Sequence, residues 1–349
     1  MAERILITGG TGFLGSAVAR VFAAAGYRIR LTVRAGSPRD NLAGVEVETV
    51  LADLADSASL RAALEGCDGL VHVAADYRLF VPDPTPMYRI NVEGTRELMK
   101  AALAAGVRRI VYTSSVATLG HRADGSPADE TTPSTQAGMI GHYKRSKFLA
   151  EAVVRHLVDE DGLPAVTVNP SAPVGPRDIK PTPTGRMVLD AARGRMPAYL
   201  DTGLNIVHVD DAAAGHLAAY ERGSIGERYI LGGDNLPLHE ILGHIAQLMG
   251  RRAPRLRLAP GPLVPLAWCA EVWSRATNTR PFFTRDELAM ARYPMYYSSL
   301  KAEHELGYTH RPAIQAFVDA LAWFGAHRGL ELPVDGLQLA TKERHKEQV

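Results

Sequence analysis

The chain has 349 residues, 46% hydrophobic and 22% charged, an ordinary globular composition with room for one large or two moderate domains. Its 39 basic and 38 acidic side chains give a net charge of +1, without the basic excess that a nucleic-acid or anionic-membrane binder usually carries. Cys67 and Cys269 lie far apart with no metal-ligand spacing, so neither a disulfide nor a metal site is expected.

The chain enters an apolar strand at Ile5 with no signal-peptide pattern before it, and no run of about 18 apolar residues exists to span a bilayer. A cytoplasmic protein is the expectation. In chain order, short β-branched runs alternate with Ala- and Leu-rich helical stretches. RILIT is the first strand and GSAVARVFAAAG the helix behind it; RIRLTV is the second strand and runs into a loop. VEVETVLAD and the helix SASLRAALEG follow, then GLVHVAA, the helix NVEGTRELMKAALAAG, and VRRIVYTSS. A helix from about Gly141 to Asp159 leads to a sixth strand, LPAVTVNPS. The alternation predicts βαβ units: an α/β fold with a Rossmann-type doubly wound parallel sheet over residues 1–169.

After Pro170 the texture changes. PSAPVGPRDIKPTPTGR is too rich in Pro and Gly for a long helix or a central strand. Residues 170–204 and 233–332 are expected to form a smaller, irregular substrate domain, with 205–232 packing back on the first domain. Residues 333–349 read as a polar tail.

ILITGGTGFLGSAVAR sets Gly9, Gly12 and Gly15 between the first strand and its helix. The first glycine permits the tight turn, the second lets backbone approach a pyrophosphate, and the third lets helix and strand pack closely. The helix N-terminus then offers free N–H groups to phosphates, so Gly9, Thr11, Gly12, Phe13 and Leu14 are expected cofactor contacts. At the end of the second strand an acid would bind ribose hydroxyls and an arginine a 2′-phosphate. Arg34 stands there, with Arg39 near and Asp40 too late, which favours NADP(H) over NAD(H). Asp53 and Leu54 after the third strand, with Ala74 and Ala75 after the fourth, are placed to meet the nucleotide. Thr113 and Ser115 close the fifth strand. Tyr143 and Lys147 stand four apart, one helical turn, so both leave one helix face.

Taken together these residues resemble the short-chain dehydrogenase/reductase superfamily, and its extended branch in particular. The likeness runs from TGxxGxxG at Thr8–Gly15 through Asp53, Ala74–Ala75, Asn91, Ser115 and YxxxK at Tyr143–Lys147 to NPSAPVGP and NIVHVDD around His208. Within that branch the chain is similar to the dihydroflavonol-reductase-like group. HVAADYRLFVPDP, MIGHYKRSK and KPTPTGR are similar to the bacterial hopanoid-associated sugar epimerases. The resemblance implies that Tyr143 is the general acid/base, that Ser115 holds the substrate oxygen, and that Lys147 binds the nicotinamide ribose and favours the phenolate. It implies a nicotinamide contact at Pro170 and Ser171, and a helix-bonding or proton-relay role for Asn91.

The branch runs several reactions. Its sugar 4,6-dehydratases and glucuronate decarboxylases carry an acid just after the catalytic hydroxyl residue, whereas Ser115 is followed by Val116, Ala117 and Thr118. Carbonyl reduction with NADPH and cofactor-neutral sugar epimerisation remain, and Arg34 leans toward reduction. A cofactor-sensing regulator is a third reading, but such proteins usually lose the tyrosine or lysine. Tyr77, Lys180, Thr184 and Arg186 are the expected contacts for a small-molecule substrate. PGPLVPLAWCAEVWSRAT is apolar enough for a lid or for contact with a lipid-like substrate or membrane surface, although most such helices are core or a homodimer seam.

Overall fold

The computed structural model describes residues 2–333 apart from 278, 280 and 282, so the expected polar tail lies, except for Pro333, outside the described residues. Twelve strands are described: β1 (Arg4–Thr8), β2 (Arg28–Val33), β3 (Glu48–Leu51), β4 (Gly69–His72), β5 (Arg109–Thr113), β6 (Ala165–Pro170), β7 (Ala172–Val174), β8 (Ala198–Leu200), β9 (Gly203–His208), β10 (Arg228–Leu231), β11 (Asp234–Pro237) and β12 (Leu256–Leu258). Seven form one parallel sheet in the order β10-β6-β5-β4-β1-β2-β3, which is the doubly wound arrangement.

The period of two along each strand supplies both faces with apolar side chains. Ile5 and Ile7 of β1 join Leu31, Val71, Val111 and Val166 under α1 (Phe13–Ala24). Leu6 points to the other face, with Leu70, Ile110 and Tyr112, under α2 (Ser57–Leu64) and the helices that follow it. Those begin with a short α3 (Thr85–Tyr88) and continue as α4 (Thr95–Ala104) and α5 (Gly141–Asp161). The stretch NVEGTRELMKAALAAG is thus not helical throughout in one form: Arg89–Gly94 is a π turn, and α-helix begins only at Thr95. Helix α5 runs two residues past its expected end and stops at Gly162, whose φ of 67° is the left-handed geometry a helix C-terminus favours.

A second core lies beyond β6. Here β9 pairs parallel with β7 and antiparallel with β11, and α6 (Pro183–Ala192) packs nearby through Val188 and Leu189. After α7 (Val209–Arg222), which lies beside α1, come α8 (Leu238–Leu248), α9 (Pro260–Thr277), α10 (Arg285–Met290), α11 (Leu300–Leu306) and α12 (Ala313–Arg328). Ile241 and Ile245 of α8 meet Phe317 and Phe324 of α12 in this core. The segment 205–232 is divided: β9 belongs to the second sheet, whereas α7 and β10 pack on the first. Among the described residues no helix is long and apolar enough to cross a membrane.

Candidate active site

The site residues gather where β1, β2, β4, β5 and β6 end, the edge at which an open parallel sheet exposes its ligand crevice. At the end of β1 the chain turns sharply, with the Gly12 N–H donating to the Gly9 carbonyl at 2.9 Å. Gly9 has a φ of 73°, and a Cβ there would stand 2.8 Å from Ala74 Cα. A Cβ on Gly15 would collide with the Gly9 carbonyl oxygen. The turn therefore needs both glycines on steric grounds. Helix α1 has no side-chain cap and no acid in its first turn, so its leading N–H groups and positive end are left for an anion. Buried Asn41, which no motif singles out, steadies the loop by donating to Thr11 O at 3.3 Å.

Arg34 follows β2 and is exposed; it makes no side-chain hydrogen bond or ion pair among the described residues. Asp53 is also exposed and accepts from the Ala55 N–H at 2.9 Å, while Leu54 packs by Gly94. Ala74, half-buried, donates its N–H to Thr8 Oγ1 at 3.1 Å, and Ala75 beside it is also half-buried. His72 bridges Thr8 and Thr95 at 2.7 and 3.0 Å; burial pulls its pKa down to about 3, so it is a neutral strut.

Asn91 sits in the π turn. Its Oδ1 accepts from the Asp76 N–H at 2.7 Å, and its amide donates to Asp76 O and to Ser146 Oγ, each at 2.9 Å. It ties the loop after β4 to α5, one residue before Lys147. A π turn is a common device at functional sites because it re-aims a side chain.

Ser115 follows β5 in extended conformation, and its Oγ accepts from the Ala117 N–H at 3.1 Å. The Tyr143 phenol comes from the first turn of α5. Burial raises its pKa above the usual tyrosine value, partly offset by a hydrogen bond from Ser115. Lys147, one turn on and only 3% exposed, donates to Thr113 O at 2.8 Å and to Tyr112 Oη at 3.1 Å. Burial lowers the Lys147 pKa to about 8, against the opposing pull of Glu151. The lysine makes no hydrogen bond to Tyr143, and the phenol is held protonated, not ionised. Thr113 offers only its carbonyl here, since its hydroxyl pairs with His216 Nε2 at 3.0 Å.

One further turn along α5, buried Glu151 collects Ser114, Thr118 at 2.9 Å, Asn169 at 3.1 Å and Arg228 at 3.1 Å. No motif announces this cluster, because its members come from four separate stretches of chain. Pro170 ends β6, and the Ser171 N–H donates to Leu231 O at 3.2 Å. Among the described residues the buried Ser171 Oγ has no hydrogen-bond partner, nor has Asn169 Oδ1. A glycine cradle with no room for Cβ atoms, an uncapped helix end and an unpartnered hydroxyl beyond β6 fit a dinucleotide laid across the strand ends.

The expected substrate residues are more scattered. Lys180 and Arg186 are exposed and Thr184 is half-buried in the first turn of α6. Tyr77 is 44% exposed, its pKa raised by burial and by the nearby Asp178 and Asp76 carboxylates. Asp178, buried and bonded to Thr182 N–H and Oγ, has its pKa raised to about 6 by burial. A cavity of about 510 Å³ opens beside His142, lined by Phe80 and Val81 of the loop after β4, by Val264 and Glu271 of α9, and by Asp286 and Leu288 of α10. None of the four expected substrate contacts lines it.

Fold and site together define a parallel-sheet dinucleotide-binding enzyme with a Ser–Tyr–Lys set at the strand ends. The NAD dependent epimerase/dehydratase family matches residues 5–232, and the chain belongs to that family, within the extended short-chain dehydrogenases/reductases. It is 43% identical over 331 residues to a Synechocystis sp. protein provisionally named dihydroflavonol 4-reductase, covering 94% of this chain and 96% of that one. It is 35% identical over 322 residues to sterol demethylase protein B of Methylococcus capsulatus, covering 91% and 97%. The crystal structure of gox2253 superposes with a TM-score of 0.86 at 54% identity, covering 94% of this chain and all of that one. The protein is accordingly an NAD(P)-dependent enzyme of the oxidoreductase and epimerase class.

Proposed function

We propose that the enzyme reduces a substrate carbonyl with NADPH, and in reverse oxidises the alcohol, on a sugar-derived or hopanoid side-chain substrate. The observation that carries the cofactor choice is Arg34, an exposed guanidinium after β2 with no carboxylate bonded to it. A 2′-phosphate there would gain a charge-assisted, bidentate partner, whereas an NAD-retaining enzyme places an acid at this point. Bound nicotinamide supplies or accepts the hydride; the rest falls to the chain. The turn at Gly9–Gly12 and the N–H groups of Phe13 and Leu14 would hold the diphosphate, Asp53 and Leu54 the adenine end, and Ala74 and Ala75 the stretch between. Pro170 and Ser171 would meet the nicotinamide amide.

Ser115 Oγ would then donate to the substrate oxygen beside Tyr143. Because burial keeps the phenol protonated, Tyr143 is poised as the general acid that gives its proton to the oxygen of a carbonyl being reduced. The buried Lys147 ammonium, held by Thr113 O, would reach the nicotinamide ribose, and it stabilises the phenolate left after proton transfer. Val116 and Ala117 after Ser115 bring no carboxylate for elimination. The test is the fate of the cofactor. Purified protein is denatured, the released nucleotide identified, and NADPH absorbance followed with sugar-derived aldehydes and ketones. NADPH consumption is expected; stoichiometric NAD⁺ with nucleotide-sugar isomerisation and no net NADPH oxidation would replace this reading with epimerisation.

A further inference from the structure

Helix α9 carries its polarity the opposite way from a helix that merely covers a core. Toward the protein it buries Ala267, Glu271 and Ser274. Glu271, 6% exposed, accepts from the Arg285 N–H at 2.7 Å and from Arg285 Nε at 3.0 Å. Toward solvent it presents Pro265, Leu266, Trp268, Cys269, Val272 and Trp273, with Leu266 59%, Trp268 54% and Trp273 69% exposed. At 3.6 residues per turn these six positions occupy one arc of roughly 160°. No charged residue lies on that arc from Pro260 to Ser274. The remaining tryptophan, Trp323, is half-buried against the second core.

The chain just before α9 is strongly cationic. Arg251, Arg252, Arg255 and Arg257 are all exposed, and no Asp or Glu occurs from Gly250 to Ala270. Arg257 pairs with Asp201. Arg251, Arg252 and Arg255 line one pocket of about 400 Å³ and make no ion pair among the described residues. The net charge of +1 conceals this cluster because acids elsewhere balance it.

We propose that α9 and the arginine run before it form a docking surface for an anionic lipid bilayer. Helix α9 would lie in the plane of the interface, with Trp268 and Trp273 at the boundary between headgroups and acyl chains and the arginines on headgroup phosphates. Tryptophan suits that depth because its ring is apolar and its N–H is wet. A second copy of the chain would also cover the tryptophans, but the same stretch of that copy carries the same arginines and no Asp or Glu from Gly250 to Ala270 to meet them. On its inner side α9 lines the cavity beside His142 through Val264 and Glu271, so a docked bilayer would lie against the outer wall of that cavity. The proposal does not depend on the NADP(H) reading or on the direction of the reaction.

The test uses the full chain with vesicles of phosphatidylcholine, with and without phosphatidylglycerol. Co-sedimentation and a blue shift of tryptophan emission are expected with the anionic vesicles, weakening as salt rises. Trp268→Ser/Trp273→Ser should lower vesicle affinity by at least about tenfold at unchanged melting temperature, since both rings are already exposed in the free protein. Arg251→Glu/Arg255→Glu should abolish the preference for phosphatidylglycerol at unchanged melting temperature. Absence of binding to anionic vesicles, or undiminished binding by the tryptophan variant, overturns the proposal. So does a solution dimer that the tryptophan variant breaks into monomers, which would make this face a subunit seam.

Discussion

Replacing Arg34 isolates the cofactor's 2′-phosphate from everything else the site does. The guanidinium is exposed after β2, so Arg34→Ala removes no buried partner and leaves the sheet untouched. Opposite unit charges about 4 Å apart attract by about 1 kcal/mol in bulk water and about 4 kcal/mol near a protein surface. Hydrogen bonds to a charged group contribute about 1.5–3 kcal/mol net. A loss of about 2 kcal/mol is the middle of that range, equivalent to about a 30-fold weaker Kd for NADPH. NADH lacks the phosphate, so its Kd should change by less than about threefold, within the scatter of a surface substitution. Arg34→Asp should go further, repelling the phosphate while offering a carboxylate to the ribose hydroxyls of NADH. Calorimetric titration of wild type and both variants with each cofactor gives the six constants needed, and rising salt should weaken NADPH binding more than NADH binding. Equal weakening of both cofactors by Arg34→Ala, or a wild type that binds NADH as tightly as NADPH, refutes the reasoning.

Two further substitutions separate chemistry from binding and stability. Tyr143→Phe removes one oxygen, so turnover should fall by at least about a hundredfold while NADPH affinity stays within a factor of two to three; retention of more than a tenth of the rate argues against a proton-donor role. Lys147→Met should eliminate activity and weaken cofactor binding, yet change stability at pH 7 by no more than about 3 kcal/mol. Burial lowers this lysine from 10.5 to about 8, a cost of about 3 kcal/mol at neutral pH, and the two hydrogen bonds the ammonium donates, at about 1.5–3 kcal/mol each, offset it. The sign follows from the lowered value. Between pH 8 and 10.5 the unfolded chain holds a proton that the folded one has released, so wild-type stability gains on the Met variant across that window. Urea unfolding at several pH values measures the difference, and a wild type that fails to gain on the Met variant between pH 8 and 10.5 would refute the lowered lysine.

The parts of the site that were legible from sequence are those fixed by local geometry. The glycine turn could be read because a tight strand-to-helix connection excludes Cβ atoms at Gly9 and Gly15, whatever surrounds it. Tyr143 and Lys147 could be paired because helical spacing puts them on one face of α5. What could not be read depends on chain segments meeting from a distance. Asn91 reaches Ser146 across 55 positions, and Glu151 gathers Ser114, Thr118, Asn169 and Arg228 from three strands' worth of sequence. Spacing puts Lys147 on the Tyr143 face of α5, and the resemblance implies that it favours the phenolate and binds the nicotinamide ribose. In the fold the ammonium turns to Thr113 O and Tyr112 Oη, because a buried charge bonds whichever oxygens line its pocket. The apolar run in α9 was visible in sequence as well, but not which of its faces meets water.

The departures from ordinary folding preference are not spread evenly. After β4 the chain adopts a π turn at Arg89–Gly94. At the end of β5 a lysine is buried against backbone oxygen, and after β6 the Ser171 hydroxyl is buried without a partner. Beyond β7, Arg177 takes a φ of 75° despite its side chain, and its Nε is likewise unpaired. Each is unfavourable in isolation, by on the order of 1–3 kcal/mol for a strained backbone or an unsatisfied buried group. They persist because the sheet beneath is over-determined, with alternate residues of β1, β4 and β5 buried on both faces. A sequence that obeys pattern rules through its core breaks them here after four strands consecutive in the chain, three of the parallel sheet and then β7 of the second, as functional or strained sites are expected to. The last of these departures has a structural anchor of its own, since Arg177 pairs with Asp210 while Asp178 accepts from the Thr182 N–H at 2.9 Å and from its hydroxyl at 2.8 Å, which fixes the entry to α6.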